Sequence, residues 1–435
     1  MDDIIKAKPS ILFVNRVYPP DHGATGRLLE DLANAFLQDG WHVSVVTTGP
    51  KSQAPFEGQG VRVHRVRAQA PRTGSKGIGR VLQTCFIWLK LLFEGLGLQS
   101  HDIVVTLSDP PMLVSAGRII AKAKGSKHVN WIHDLYPDLL PVLGMNLPRW
   151  VYTFLLKASR KAMKSCDKVV VVGRCMAKHL IHSGMDAHLI TVIPNWPDPE
   201  LYQENPDYAL KENKVAGAGA PMNPMSDRQG TAQDFKNHEN EAQEPFKLDD
   251  TKFRILYAGN LGLAHPYATL LETAEILMNT NPEIEILFVG DHSVFAGMLA
   301  EKKKRSLENI RFLPYQPAAK LKSLMESGDV HLISMKTEAA GLVVPSKLYS
   351  ALAVGRPVIF VGPEGNETAQ VIRDFKTGTV VPQGDAEQLA NAIRKFRYDS
   401  QVWFNAQQGS HEAGRIFTPE QSCAVWVERI RRLLR

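Results

Sequence analysis

Cysteine is scarce in this sequence, and the few cysteines are far apart. Only four occur in 435 residues, and no two form a Cys-x-x-Cys pair. A disulfide framework or a zinc site would need more cysteines, or cysteines at closer spacing. The sequence therefore favours a reduced compartment and predicts no metal site.

A long, uninterrupted apolar segment is also lacking. The first ten residues, MDDIIKAKPS, are partly acidic and have no extended apolar core, so we expect no signal peptide. The most apolar stretch, residues 81–98, contains Lys90 and Glu94 and only reaches the lower limit of membrane-spanning length. We therefore expect a cytoplasmic protein without a transmembrane helix.

Neither sign of charge dominates. The formal net charge is +6, which is too small to indicate a nucleic-acid partner but favours anionic ligands. With 44% hydrophobic residues, the chain is neither wholly disordered nor fibrous. Its length exceeds that of one average core, so two domains are expected.

Short β-branched runs alternate with amphipathic segments along most of the chain. The predicted strands are residues 11–14, 41–48, 61–67, 102–107, 127–132, 168–172, 190–193, 254–257, 284–289, 310–312, 330–333, 357–361 and 379–381. Apolar strands that alternate with helices form parallel sheets covered on both faces. The predicted fold class is therefore α/β, with two Rossmann-like, doubly wound domains.

The alternation stops in the middle of the chain. Residues 210–250 contain no Ile, Trp, Tyr or Cys, and they cannot bury enough apolar surface to offset the entropy of ordering. We predict an N-terminal domain of residues 1–197, a linker of residues 198–251 with a flexible polar insertion, and a C-terminal domain of residues 252–417. Residues 418–435 are predicted to be helical.

Polar residues follow the predicted strands, where ligands bind in parallel sheets. Asp21, His22, Gly23 and Gly26 follow the first strand, where glycines let backbone N–H groups approach an anion; a plain turn is the alternative. His133 and Asp134 follow residues 127–132. They could transfer a proton or bind a sugar hydroxyl, or form only a turn network.

The second half repeats this arrangement. Gly259 and Asn260 follow its first strand and resemble the earlier glycine loop. Ser346 can cap a helix, and Lys347 in the first turn opposes the helix dipole, which suggests a nearby phosphate rather than an ordinary surface lysine. Glu367 could accept hydrogen bonds from a ribose or sugar, or simply be a helix-terminal acid.

Taken together, seven segments carry a resemblance to a known family. They are ILFVNRVYPPDHGATGR, DGWHVSVVTT, DPP, WIHDLYPD, VIPNWPD, AGNLG and VPSKLYSALAVGRPVI. Their order resembles the family 4 glycosyltransferases of the GT-B fold, especially bacterial colanic-acid and O-antigen fucosaminyltransferases. The resemblance implies two domains facing a cleft, with the C-terminal helix packing back on the first domain. It also implies retaining, metal-independent transfer from a UDP- or GDP-linked sugar bound by the C-terminal domain to an acceptor bound by the N-terminal domain.

The resemblance also implies site residues. His133, with Asp134 beside it, would lie near the transferred sugar. Gly259, Asn260, Lys347 and the backbone near Gly341 would bind the donor phosphates. Many family members have an arginine where Asn260 stands, and a glutamate pair of which the second would be at Ser350. Lys347 would then neutralise the phosphate, while Glu338 or Glu367 would bind sugar or ribose.

Residues 147–165 predict an amphipathic helix with aromatic and basic side chains and no acid. Such a helix favours an anionic membrane surface, as a glycan acceptor linked to a polyprenyl lipid would require. A cleft-backing helix with a solvated basic face is the alternative. Two other functions stay open: a nucleotide-sugar 2-epimerase, which needs no acceptor, and a non-catalytic GT-B scaffold subunit.

Overall fold

The computed structural model describes residues 8–21, 23–49, 60–68, 78–202, 248–249, 251–259, 266–290 and 295–435. The chain divides into two compact units. The first unit extends to Trp196 and includes Ala339–Val344 and Pro419–Arg435; the second comprises Pro197–Glu338 and Pro345–Thr418. The flexible insertion predicted within residues 198–251 falls mainly on residues 203–247, which lie outside the described residues.

The first unit is built on a parallel sheet. Its strands are β1 (Ser10–Val14), β2 (His42–Thr48), β3 (Arg62–Val66), β4 (Ile103–Thr106), β5 (Lys127–Ile132), β6 (Lys168–Val171) and β7 (Ile190–Val192). The strand order is β3-β2-β1-β4-β5-β6-β7. Its helices are α1 (Ala24–Gln38), α2 (Ile78–Gly97), α3 (Leu113–Lys124), α4 (Arg149–Met163) and α5 (Arg174–His182).

The second unit repeats the plan. Its strands are β8 (Phe253–Ala258), β9 (Ile284–Val289), β10 (Ile310–Leu313), β11 (Val330–Ser334), β12 (Val358–Val361) and β13 (Gly378–Val381), in the order β10-β9-β8-β11-β12-β13. Its helices are α6 (Ala268–Thr280), α7 (Ala296–Lys304), α8 (Leu321–Glu326), α9 (Lys347–Ala353), α10 (Glu367–Phe375), α11 (Ala386–Tyr398) and α12 (Ser400–Ile416). The last helix, α13 (Pro419–Arg431), belongs to the first unit.

The α/β prediction is confirmed, and each predicted strand is present within a few residues of its expected bounds. Helix α1 illustrates why the pattern is informative. Leu28, Leu32 and Phe36 recur at four-residue spacing and are fully buried, so one face of the helix packs on the sheet. Phe36 meets the Trp41 ring edge-on at 5.2 Å, and truncating such a buried aromatic costs about 3–5 kcal/mol. Gly40, with φ of 87°, follows the C-cap residue Asp39 and ends the helix.

Residues 81–98 fall on α2, which ends at Gly97. Within the ranges described above, no helix combines the length and hydropathy needed to cross a bilayer. Helix α2 packs against α3, and α3 packs against α4. These three helices therefore lie side by side in the first unit.

Candidate active site

Each sheet has a point where the strand order reverses, and ligands bind at such points in open parallel sheets. In the second unit the reversal lies between β8 and β11, which are neighbours although β9 and β10 intervene in sequence. Gly259 follows β8 directly, and Ser334 is the last residue of β11. Residues that bind a ligand of the second unit are therefore expected near Gly259 and Ser334.

Lys347 lies at this edge of the second sheet. A Cβ atom added to Gly259 would be 3.0 Å from Lys347 Cε and 3.3 Å from its Nζ. Gly259 has φ of 107°, a backbone conformation that favours glycine, and its lack of a side chain leaves room for the Lys347 side chain. The Lys347 ammonium is 5.2 Å from the centroid of the Tyr257 ring, within cation–π range.

The surroundings of Lys347 alter its electrostatics. Burial lowers the pKa of Lys347 from its ordinary value to about 8, because the charged form loses solvation. Burial also raises the pKa of Tyr257, whose hydroxyl interacts with Ser334. A cation that has lost solvation interacts strongly with an approaching anion. This geometry suits recognition of a phosphate or diphosphate.

Two other predicted donor residues, Ser346 and Ser350, lie at the start of helix α9 and on it. Ser346 occupies the N-cap position, but its side chain makes no capping hydrogen bond, so the predicted cap is not formed. Ser350 lies on α9 one turn after Lys347 and is partly exposed. Lys347 is therefore the residue of this segment with the most distinctive surroundings.

Glu367 opens helix α10 after β12 and is only 3% exposed. The preceding Asn366 is fully buried and accepts a hydrogen bond from the Thr368 N–H at 2.8 Å. Asn366 also donates to Met335 Sδ at 3.6 Å, which ties this turn to the end of β11. The helix dipole favours a carboxylate in the first turn, as expected for a helix-terminal acid. The same position would let Glu367 accept a hydrogen bond from a ligand.

Two further predicted donor residues, Glu338 and Gly341, lie in short segments before α9. Glu338 is exposed in a short 3-10 turn, Thr337–Ala339. Gly341, with φ of 75°, belongs to the segment Ala339–Val344, which groups with the first unit. A Cβ at Gly341 would lie 3.1 Å from His179 Cβ, so close packing with α5 explains this glycine. Asn260 lies outside the described residues.

His133 and Asp134 follow β5 in the first unit. The His133 ring packs 4.6 Å from that of Trp131, and the residue is 6% exposed. Burial lowers the pKa of His133 to about 3, so its imidazole is neutral near pH 7. Its buried Nε2 has no hydrogen-bond partner among the described residues. A neutral imidazole of this kind can donate or accept one hydrogen bond to a ligand.

The pKa of Asp134 is raised, whereas that of His133 is lowered. Burial, reinforced by the charge of Asp109, raises the pKa of Asp134 to about 6. The Ser108 Oγ accepts hydrogen bonds from the backbone N–H groups of both His133 and Asp134, each at 3.2 Å. Asp134 also pairs with Val343 in an isolated antiparallel bridge. The local backbone thus fixes this pair of site residues firmly.

The glycine loop after β1 has a structural explanation. A Cβ at Gly26 would lie 2.9 Å from Val17 Cγ1 and 3.2 Å from the Val17 carbonyl oxygen, so this residue must be small for α1 to pack. Gly23 precedes α1 with an extended backbone, and Asp21 is exposed. His22 lies outside the described residues.

One ion pair was not predicted, although the sequence segment DPP that contains Asp109 was singled out. Arg16 follows β1, and Asp109 follows β4, at the reversal point of the first sheet. Arg16 Nε donates to Asp109 Oδ1 at 2.8 Å, and Arg16 Nη2 donates to Oδ2 at 2.7 Å. The signal was an arginine two residues after a strand, but its partner is 93 residues away in sequence.

The basic, aromatic segment forms α4, and its first half is solvent-exposed. Trp150 and Phe154 are 77% and 66% exposed and lie one turn apart. Helix α2, which packs on α3, exposes further apolar side chains, among them Leu82, Phe86 and Phe93. Arg160 is an exception to the expected solvated basic face, because it forms an ion pair with Asp138.

Comparison with known proteins matches both halves of the chain to glycosyltransferase families. Residues 23–196 match the Glycosyl transferase 4-like domain, and residues 238–434 match the family described as Glycosyl transferases group 1. The two matches are consecutive and follow the division of the chain into two sheets.

Two curated relatives and one solved structure agree with these matches. The putative colanic acid biosynthesis glycosyl transferase WcaI of Escherichia coli is 27% identical over 66% of this chain and 64% of its own length. The probable glycosyltransferase WbjE of Pseudomonas aeruginosa is 23% identical over 75% of this chain and 73% of its own. The chain thus spans slightly less than two thirds of the E. coli relative.

The crystal structure of HepE from Anabaena, in complex with UDP-glucose, superposes with a TM-score of 0.65. The superposition covers 97% of this chain and 99% of HepE at 15% sequence identity, so this likeness concerns the fold. Two doubly wound sheets, two consecutive family matches and these relatives lead to one conclusion: the chain belongs to the glycosyltransferases of the GT-B fold.

Proposed function

We propose that this protein is a retaining glycosyltransferase that moves a sugar from a UDP- or GDP-linked donor to a glycan or lipid-linked acceptor in cell-surface polysaccharide synthesis. The position of Lys347 carries the proposal. Its ammonium lies over the Tyr257 ring and beside Gly259, at the reversal point of the second sheet. Both curated relatives are named as glycosyltransferases, which supports the reaction class, and the colanic acid in the name of the E. coli relative supports the polysaccharide setting.

In this proposal Lys347 acts on the leaving group. When the bond between the sugar and the diphosphate breaks, negative charge accumulates on the diphosphate. A cation with little solvation, already in place, stabilises that charge without reorganising. Glu367 is assigned to a hydroxyl of the donor sugar or ribose, because it is a buried carboxylate at the same edge. No metal is assigned to the reaction, and activity in the presence of EDTA tests this point.

The first unit is assigned to the acceptor. His133 supplies a neutral ring nitrogen, and Asp134 supplies a carboxyl group, both held by the Ser108 hydroxyl. We assign the acceptor hydroxyl to this pair. The segment Ala339–Val344 pairs with the backbone of Asp134 through the bridge to Val343.

A lipid-linked acceptor requires access to a membrane surface. Exposed apolar side chains on α2 and α4, on either side of α3, form the surface that suits this contact. Lys157 and Lys161 on α4 are exposed and supply positive charge, and α4 contains no acidic residue. This combination favours a peripheral position on an anionic membrane.

Product analysis tests the proposed reaction. The purified protein is incubated with UDP- and GDP-sugars and with lipid extracts that contain polyprenyl-linked glycans. We expect a sugar–lipid product whose new linkage has the same anomeric configuration as the donor. An inverted product would refute the retaining mechanism. Conversion of UDP-N-acetylglucosamine without acceptor would favour the 2-epimerase, and binding of donors without turnover would favour a scaffold subunit.

A further inference from the structure

The Arg16–Asp109 pair lies at the reversal point of the first sheet, where a parallel sheet offers its ligand site. The two side chains meet in a bidentate arrangement, with N–O distances of 2.8 and 2.7 Å. This fork-to-carboxylate geometry is the strongest form of an arginine–carboxylate contact. Both side chains keep about a quarter of their surface exposed, 27% and 29%, so a ligand can reach them.

The main chain fixes the pair from three strands. The Arg16 N–H donates to the Asp109 carbonyl oxygen at 2.9 Å, which joins the ends of β1 and β4. The Arg16 carbonyl oxygen accepts from the Thr47 and Thr48 hydroxyl groups at 3.0 and 2.8 Å, at the end of β2. These three hydrogen bonds fix the backbone of Arg16, and they therefore restrict the position of the ion pair.

The pair is connected to Asp134. Ser108, the neighbour of Asp109, accepts hydrogen bonds from the N–H groups of His133 and Asp134. The charge of Asp109 is also the second cause, after burial, of the raised pKa of Asp134. Arg16 is ion-paired with Asp109, so its guanidinium group holds the carboxylate whose charge acts on Asp134.

Few other groups act on Asp134. His133 beside it is neutral near pH 7, because burial lowers its pKa to about 3. The segment Ala339–Val344, which pairs with Asp134 through Val343, has no titratable side chain. The small cavity that Asp134 lines is bounded by α3 and α4 with Met112, Leu113, Val114, Ser159 and Met163, none of which is charged. Tyr136 is the other titratable residue of that cavity.

We propose that Arg16 and Asp109 are positioning residues of the acceptor site, which set the fraction of Asp134 that is ionised and so able to accept a hydrogen bond from an acceptor sugar hydroxyl. An ionised carboxyl group only accepts hydrogen bonds, whereas the protonated group also donates. Acceptor binding therefore depends on which form is present. This inference rests on the proposed glycosyl transfer, and it concerns the acceptor side alone.

The test is the pH dependence of kcat/KM for the acceptor, measured for the wild type, Arg16→Met, Asp109→Asn and the double variant. The wild-type activity is expected to rise through a midpoint near pH 6. Asp109→Asn removes a negative charge and should move the midpoint down by about one pH unit. Arg16→Met removes a positive charge beside Asp109 and should move the midpoint up, by less. The double variant should lie between them. KM for the donor should stay unchanged.

Lys127→Met is the matched control. It breaks the Lys127–Asp167 ion pair of 3.0 Å at the opposite end of β5, and we expect no change in the midpoint. Shifts in opposite directions cannot come from general loss of packing. Coincident midpoints, or shifts of the same sign, would overturn the inference. If Arg16→Met fails to fold, the inference is tested by Asp109→Asn alone, whose midpoint must lie below that of the wild type.

An infrared titration separates this inference from the proposed reaction. The carboxylate band that disappears in Asp134→Asn is followed against pH in the wild type and in Asp109→Asn, without substrate. Inactivity of the wild type towards every donor would refute the proposed function, while this titration would still measure the effect of the pair on Asp134. A titration midpoint that is the same in both proteins would overturn the inference even in an active enzyme.

Discussion

The ammonium group of Lys347 lies 5.2 Å from the centroid of the Tyr257 ring, and the absence of a side chain at Gly259 leaves room for it. These residues come from two segments almost 90 positions apart, the end of β8 and the start of α9. A lysine held in this way has little solvation of its own. Its chemistry should depend strongly on pH and on the presence of an anion.

The first prediction concerns that pH dependence. Because the pKa of Lys347 is lowered to about 8, the empty site loses its positive charge as the pH rises through this value. The kcat/KM for the donor, which reports the free enzyme, should therefore fall above pH 8. Lys347→Arg keeps its charge throughout, so this variant should be less active, but its kcat/KM should not change with pH over the same range. A wild-type profile that remains level to pH 9.5 would contradict this.

The second prediction separates packing from anion binding in the loop after β1. Gly26→Ala should destabilise the protein by about 1–3 kcal/mol, because the new methyl group would overlap Val17. KM for the donor should be unaffected. Gly79→Ala in α2, where the added methyl group meets no atom within 4 Å, is the control and should not destabilise. Thermal unfolding measures both, and equal midpoints for the two variants would refute the packing explanation.

The third prediction concerns acid stability. Burial lowers the pKa of His331 in β11 to about 4, and its Nε2 lies 2.8 Å from the Met325 carbonyl oxygen. Below pH 6.5 the unfolded chain binds a proton that the folded chain does not. Stability should therefore fall with decreasing pH, by at most about 1.4 kcal/mol per pH unit for this residue between pH 6.5 and 4.

His331→Gln tests this, because glutamine can still donate to the carbonyl group but does not titrate. Thermal unfolding midpoints of the two proteins are compared at pH 7 and pH 4.5. The variant should lose less stability on acidification than the wild type. Equal losses would mean that His331 is not held neutral in the folded state.

The fourth prediction concerns the exposed face of α4. Replacing Trp150 and Phe154 with Ser, and Lys157 and Lys161 with Gln, should release the protein from anionic vesicles, because both apolar burial and charge attraction are lost. Wild-type binding should weaken as salt rises. The control is Lys303→Gln with Lys304→Gln on an exposed turn of α7, which removes two positive charges away from α4 and should not release the protein. Vesicle flotation that is unaffected by the α4 changes would exclude this surface.

The sequence predicted local structure well, because buried parallel strands are short apolar runs between helices. Lys127–Ile132 and Ile284–Val289 have the bounds that the pattern indicated. Placement of site residues after strands was also predictable, since the sheet topology requires it. The Arg16–Asp109 pair could not be predicted, because the sequence around either residue does not indicate a partner that is 93 residues away.

Tertiary packing also decides the surroundings of two residues. The resemblance implied that the backbone near Gly341 binds the donor phosphates; in the structure its segment groups with the first unit, and Gly341 packs against His179. Arg160 has the helical position of a solvated basic residue, but Asp138 accepts its hydrogen bond at 2.5 Å. In both cases the deciding contact comes from a residue that is remote in sequence, so helix periodicity could not reveal it.

The most direct test of the account is the acceptor-dependent release of the nucleoside diphosphate by Lys347→Ala, with steady-state kinetics on the cognate donor and acceptor. Loss of this charge contact should cost about 2–4 kcal/mol of transition-state stabilisation, a decrease of roughly 30- to 1000-fold in kcat/KM, with kcat itself reduced. Lys303→Ala, an exposed lysine of the same unit, should retain wild-type rates. Near wild-type kcat and KM for Lys347→Ala would contradict the assignment of Lys347 to the donor diphosphate.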